Sequence, residues 1–286
     1  MTSLFCFGFG FSARALAKRL EEKGWRVTGT SRSEEKCAAL QAQGCACLPF
    51  DSIDAVTSAL ASHGHILVSV PPGETGDPVL NRYRESLIAN RRSLRWIGYL
   101  STTGVYGDRG GAWVDETSAL APTTFRGRRR LAAEQGWLVL HAAFDLPVHV
   151  FRLAGIYGPG RNQLLAVRAG TARRTVRSAQ VFSRIHVEDI AGVLEASIAR
   201  PDPGRCYNVC DDEPAPPQDV VAFAANLLGA TPPPEIPFHQ AGLIGLSRSF
   251  YEESKRVSNR RIREELGYRL LYPTYREGLL ALKSSL

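Results

Sequence analysis

The residues best suited to chemistry stand near the start of the chain. Gly8-Phe9-Gly10-Phe11-Ser12-Ala13 fits the pattern G-x-G-x-x-[GA]. It lies between an apolar, strand-like run at 4–9 and a helix-like run at 12–23, with Leu16 and Leu20 at helical spacing. At such a junction the first glycine allows a tight turn. The second lets a pyrophosphate approach the backbone, and a small third residue keeps helix and strand close. Free N–H groups in the first helical turn then hold the phosphates. The alternative is a tight turn with no ligand. The position predicts a dinucleotide site on Gly8, Phe9, Gly10, Phe11 and Ser12.

A second strand-like run, 26–30, leads to Ser31-Arg32. A carboxylate here would accept from both hydroxyls of a cofactor ribose. Arginine instead pairs with a 2′-phosphate in bidentate fashion, which selects NADP over NAD, or it is simply solvated. Asp51 either accepts from the adenine amino group or caps the helix after it. Val70 and Pro71 end the fourth run, and Ala154 follows the run at 148–153. The carboxyl ends of strands are where such a sheet binds ligands.

The elements that must position these residues alternate. Strand-like runs at 26–30, 46–50, 66–70, 96–101 and 148–153 are separated by helix-like stretches near 34–43, 55–62, 83–93 and 128–143. This order predicts an α/β fold with a parallel sheet covered on both faces. The pattern loosens after Gly158, although 187–199 reads as a helix and 206–209 as a short strand. The expected division is a nucleotide-binding domain at 1–158 and a smaller C-terminal lobe at 159–286, with 187–210 returning to the first domain.

Composition removes several function classes. The 286 residues carry 35 basic and 28 acidic side chains, a net charge of +7, and 30 of the basic residues are arginine. The arginines are scattered along helix-like segments, so a solvated surface is expected rather than nucleic-acid binding. No apolar run approaches the ~20 residues of a membrane helix. The first residues lack the basic region of a signal peptide, and Gly8 and Gly10 break the apolar run. A cytoplasmic protein with no membrane association is expected. The six cysteines form no disulfide framework and have no zinc-site spacing, so no metal is expected.

Four further segments carry a resemblance. They are Leu100-Ser101-Thr102-Thr103-Gly104-Val105-Tyr106-Gly107, the run from Arg152 to Gly160, Ile185-His186-Val187-Glu188-Asp189, and Tyr207-Asn208-Val209. With the glycine turn, and in this order, the chain resembles the extended short-chain dehydrogenase/reductases, the NAD(P)-dependent epimerase/dehydratase family. The resemblance covers nearly the whole length. It implies a Rossmann-type doubly wound parallel sheet with a smaller C-terminal substrate lobe.

The family's chemistry uses a Ser or Thr, together with a Tyr and a Lys in Y-x-x-x-K. The hydroxyl maps to Thr102. Aligning Glu134 with the family's glutamate puts the lysine at Arg130 and the tyrosine at Arg126. A guanidinium does not deprotonate in proteins, so Arg126 is no general base, whereas Arg130 can still hold a ribose or phosphate oxygen. The literal match Tyr251-x-x-x-Lys255 lies far from the expected helix and reads as coincidence. The chain therefore resembles an atypical subgroup that keeps the cofactor fold and loses the Tyr–Lys pair.

Tyr106 and Tyr157 are candidate replacements for the acid. Asp115 and Glu116 either border the substrate or cap a turn. Arg126, Arg128, Arg129 and Arg130 form either a solvated helix start or a phosphate clamp. Asp189 reads as a first-turn acid and His186 as a packed structural residue. Arg161 and Arg184 would meet a substrate phosphate if the ligand is a nucleotide sugar. Two functions follow. One is an NADP-dependent oxidoreductase or epimerase-like enzyme acting on a nucleotide sugar or other small carbonyl compound. The other is a non-catalytic NADP(H)-binding sensor. The resemblance also implies a possible homodimer.

Overall fold

A computed structural model describes residues 2–245, 248, 250–284 and 286. The chain opens with β1 (Ser3–Phe7), α1 (Phe11–Glu21), β2 (Arg26–Ser31), α2 (Glu34–Ala42) and β3 (Ala46–Pro49). It continues with α3 (Ile53–Ser62), β4 (His65–Val68), α4 (Pro78–Ala89) and β5 (Trp96–Thr102). Next come β6 (Trp113–Val114), α5 (Phe125–Phe144), β7 (Val148–Leu153), β8 (Gly155–Tyr157), α6 (Gln163–Arg168) and β9 (Arg174–Val176). Then follow β10 (Arg184–His186), α7 (Val187–Ala199), β11 (Cys206–Val209), α8 (Pro217–Leu227), β12 (Glu235–Pro237) and β13 (Arg256–Val257). The short helix Arg260–Glu264 and the helix Tyr275–Lys283 come last.

Seven strands form one parallel sheet in the order β11-β7-β5-β4-β1-β2-β3, with helices on both faces, as the alternating pattern predicts. The order reverses between β1 and β4, both of which pair with their neighbours in parallel. Every residue of β1 is buried, and so is every residue of β4 and β7. A strand covered on both faces needs apolar residues throughout rather than in alternation. One core runs through Phe5, Phe7, Ile66, Val68, Tyr83, Ile97, Tyr99, Trp137 and Val150.

Local boundaries differ from the sequence reading for identifiable reasons. β1 stops at Phe7 because Gly8 takes a left-handed φ of +83°. The helix expected at 83–93 starts at Pro78. Asp77 caps it, accepting from the Val79 and Leu80 N–H groups at 2.8 and 3.1 Å, and proline is tolerated in a first turn.

The chain divides into two compact units. One comprises residues 1–102, 129–152 and 190–207, and the other 103–128, 153–189 and 208–286. The segment 103–128, expected in the first domain, groups with the second unit, where β6 pairs with β13 through Trp113↔Arg256. The second unit has its own apolar cluster of Tyr157, Leu164, Val220, Ala224, Tyr275 and Leu279. Among the described residues no helix is long and apolar enough to cross a membrane.

Candidate functional site

The glycine turn lies between the carboxyl end of β1 and the start of α1. A Cβ on Gly8 would come within 2.9 Å of the Ser69 Oγ, and its positive φ disfavours any other residue. The Gly8 N–H donates to the Thr30 Oγ1 at 2.9 Å, and Ser69 Oγ donates to the Gly8 carbonyl at 2.8 Å. The turn is thus fixed from both neighbouring strands. Phe9 is buried, and its ring occupies the space a Cβ on Gly29 would need, 2.4 Å away. Its N–H donates to the Thr30 carbonyl at 3.0 Å. Phe9 therefore anchors the turn by packing.

Gly10 behaves differently. A Cβ there would meet nothing within 4 Å, and its φ of −92° is ordinary. Gly10 is also the N-cap of α1 and supplies no side-chain cap. The first helical bond runs from the Arg14 N–H to the Gly10 carbonyl, so the N–H groups of Phe11, Ser12 and Ala13 precede the intrahelical ladder. No acid stands in the first turn. Open space before a helix start with free donors is the requirement for a phosphate. Ala13 is fully buried, as the close packing of helix and strand demands.

Ser31 ends β2 and Arg32 follows it, exposed and with no ion pair among the described residues. The Ser31 Oγ accepts from the Ser33 N–H, and Ser33 caps α2 by accepting from the Lys36 N–H. Asp51 does not cap α3. The N-cap is Ser52, without a side-chain bond, and the Asp51 carboxylate pairs instead with Arg82. Val70 is buried beside Gly8, and Pro71 is exposed. Thr102 is the half-buried last residue of β5. Its neighbour Ser101 is buried and donates to the Glu134 Oε2 at 2.8 Å. Arg130 is tied down: its Nη1 donates to the Leu100 carbonyl, and its guanidinium lies 5.9 Å from the Tyr99 ring centroid.

The other basic residues at the start of α5 do not converge. Arg129 pairs with Glu74 at 3.0 Å, Arg128 donates to the Thr123 carbonyl at 2.7 Å, and Arg126 is exposed. They do not form a clamp.

In the second unit, Tyr106 is fully buried and donates to the Asn208 Oδ1 at 2.7 Å. The Asn208 N–H donates to Glu116 at 2.7 Å. Burial pushes the Glu116 carboxyl above the ordinary carboxylate range, partly offset by that bond and by Arg261. Asp115 caps a turn, accepting from the Thr117 N–H at 2.9 Å. Tyr157 is buried among the apolar cluster, and its hydroxyl donates to the Thr274 carbonyl at 3.5 Å. Ala154 is buried, and its N–H donates to the Val209 carbonyl at 3.1 Å. Arg184 donates to the Phe182 and Ala215 carbonyls at 2.9 and 3.0 Å. Asp189 is no simple dipole partner, because it accepts from the Tyr268 hydroxyl and from the Leu271 and Tyr272 N–H groups. His186 packs against Tyr157 and Tyr272, as expected of a structural residue. Lys255 pairs with Glu253 at 2.7 Å.

Residues 8–210 match the NAD dependent epimerase/dehydratase family. The chain belongs to this family. Protein YeeZ of Escherichia coli K12 is 28% identical over 96% of this chain and 97% of its own. A solved structure of a functionally unknown conserved protein from Silicibacter pomeroyi is 52% identical. It superposes with a TM-score of 0.91 over 100% of this chain and 99% of that one. The human epimerase family protein SDR39U1, solved with NADPH, has the same fold at 21% identity, with a TM-score of 0.76 and full coverage of both chains.

Within the epimerase/dehydratase frame, one partnership escaped the sequence reading. Glu134, used there only to align Arg130 and Arg126, is an anchor in its own right. It is 1% exposed and forms an ion pair with Arg152, itself 3% exposed. The signal was available. Arg152 is the one charge fixed in the buried strand β7, and such a charge needs a buried partner. Thr30 and Ser69 were also missed, because their role in holding the turn depends on strand order.

Proposed function

We propose that this protein is an NADP-dependent oxidoreductase or epimerase-like enzyme of the epimerase/dehydratase family, working on a small carbonyl compound such as a nucleotide sugar. Arg32 carries this reading: an exposed guanidinium without an ion-pair partner among the described residues, standing just past the carboxyl end of β2. A 2′-phosphate would complete it. The α1 N–H groups and the open space at Gly10 would receive the pyrophosphate. Asp51 would accept from the adenine amino group once released from Arg82. Ser31, Val70, Pro71 and Ala154 would line the cofactor, and Arg130 would approach the ribose if it left Leu100. Bound there, the dinucleotide supplies or accepts a hydride. Thr102 would orient the substrate oxygen. Tyr106 serves as proton donor only if its bond to Asn208 opens. A cytoplasmic location is part of this reading.

Titration calorimetry with NADP(H) and NAD(H), on wild type and Arg32→Ala, tests it. A charge-assisted pair contributes about 1.5–3 kcal/mol, so the NADP(H) preference should disappear in the variant. An unchanged preference would overturn the assignment.

A second reading has its own support. The chain lacks the Tyr–Lys pair, Arg130 is engaged by Leu100, and Tyr106 by Asn208. These features support reading the protein as an atypical, non-catalytic NADP(H)-binding sensor. Such a protein binds cofactor, turns over no substrate in a carbonyl and nucleotide-sugar panel, and differs between NADP+ and NADPH in partner or oligomer. Turnover of any substrate would exclude it.

A further inference from the structure

Two N–H groups of the glycine turn end on one residue. Thr30 lies on β2 and is 1% exposed. Its Oγ1 accepts from the Gly8 N–H at 2.9 Å, and its carbonyl accepts from the Phe9 N–H at 3.0 Å. The hydroxyl proton is directed to the Cys6 carbonyl at 3.4 Å, which leaves the oxygen lone pairs for Gly8. On the other side of the peptide, the Ser69 Oγ donates to the Gly8 carbonyl at 2.8 Å. The N–H groups of Gly8 and Phe9 are thereby withdrawn from any ligand. Those of Phe11, Ser12 and Ala13, ahead of the helical ladder, remain to receive one.

Phe9 is fixed by packing, but Gly8 has no side chain to pack. It takes a left-handed φ of +83°, and glycine visits either sign of φ readily. The strand that carries Thr30 is held on both edges, by Cys6↔Gly29 against β1 and by Thr30↔Leu48 against β3. The Ser31 carbonyl that follows accepts from the Phe50 N–H at 2.8 Å. Thr30 therefore passes the rigidity of the sheet to a residue with little of its own. At so buried a position a lost hydroxyl leaves the Gly8 donor unsatisfied, and the turn must shift to find another acceptor.

We propose that Thr30 is a positioning residue for the pyrophosphate of the dinucleotide. The inference rests on the cofactor reading above and adds a residue that acts through Gly8. Its hydroxyl fixes the Gly8 peptide, and with it the path of the backbone into Gly10 and the first α1 N–H groups. Donors already in place bind a phosphate more tightly than donors that binding must order. The effect falls on the pyrophosphate, which NADP(H) and NAD(H) share. Arg32 faces the 2′-phosphate, which only NADP(H) carries. Loss of the Thr30 hydroxyl thus weakens both dinucleotides by one factor and leaves the choice between them unchanged.

Titration calorimetry on wild type, Thr30→Val and Thr30→Ser tests this, with NADPH, NADH and adenosine 2′-monophosphate as probes. Valine keeps the branched shape and removes the acceptor, whereas serine keeps the acceptor. In Thr30→Val, NADPH and NADH should both bind about tenfold more weakly. Thr30→Ser should stay within about twofold of wild type. Adenosine 2′-monophosphate has no pyrophosphate, so its affinity should be the same in all the proteins, and urea unfolding reports that each is folded. A merely structural threonine lowers the urea midpoint and leaves the dinucleotide affinities intact, a result that would overturn the proposal. So would a loss confined to NADPH, an equal loss for adenosine 2′-monophosphate, or a Thr30→Ser as weak as Thr30→Val. Equal wild-type affinities for NADPH and NADH, both lowered in Thr30→Val, would refute the NADP assignment and sustain the role of Thr30. A wild type that binds neither dinucleotide would refute both.

Discussion

The two compact units are stabilised by different means. The first is a sheet in which β1, β4 and β7 are buried end to end, with one large aromatic and aliphatic core and a buried charge, Arg152, that is matched by Glu134. The second has only short pairings of two strands and a smaller apolar cluster. It relies on buried carboxyls that collect hydrogen bonds from distant loops. Asp189 is bonded to Tyr268, Leu271 and Tyr272, and Glu116 to Asn208. Burial pushes both carboxyls above their ordinary range, and Asp211 further still. A unit organised by non-directional burial tolerates local change at polar positions. One organised by polar bonds across long sequence separations does not.

The contrast can be broken first at the buried ion pair of the sheet unit. Glu134→Ala removes the carboxylate from a buried guanidinium and should cost about 3–5 kcal/mol in urea unfolding. A cost near that of an exposed pair would mean that Arg152 finds other compensation and that the units differ less than described.

The next largest effect compares one histidine from each unit. His149 in the first and His186 in the second are both held by burial at about 4, against 6.5 for an unperturbed ring. The unfolded chain therefore takes up a proton first as pH falls from 6.5 toward 4, and the native state does not. Stability tied to each ring is fully present above 6.5 and is lost across that window, up to about 3 kcal/mol per ring. His149→Gln and His186→Gln should each flatten the stability curve between those limits. A slope unchanged in either variant would show that its ring is charged in the native state.

The smallest effect tests the polar bonding of the second unit. Asp189→Asn keeps the shape but turns one acceptor into a donor facing N–H and O–H donors, so about 1–2 kcal/mol should be lost. A neutral result would mean that these bonds are replaced by water and do not organise the unit.

Legibility follows the same contrast. Strands such as β1 and β4 were readable because each is a largely apolar run between turn signals, and β7, β11 and α7 fall where the pattern put them. The glycine turn was readable because its mechanism needs only neighbours in sequence. The second unit was not readable as a unit, since β6 joins β13 across half the chain and nothing local announces that pairing. Tyr106 illustrates the limit. Its position after β5 suggested an acid, but its proton goes to Asn208, a residue a hundred positions away.

The sequence by itself determined the parallel α/β architecture, the glycine turn with its helix start, the arginine after β2, and the absence of tyrosine and lysine at positions 126 and 130. Each of these depends on side-chain type or on spacing within one or two elements. Tertiary structure decided which polar groups are already engaged: Arg130 by Leu100, Asp51 by Arg82, Tyr106 by Asn208, and Glu134 by Arg152 and Ser101. It also left the buried His63 Nε2 without a hydrogen-bond partner among the described residues. The physical reason is that a polar atom's chemistry depends on what fills its hydrogen-bonding positions once water is excluded, and those partners are brought together only by folding.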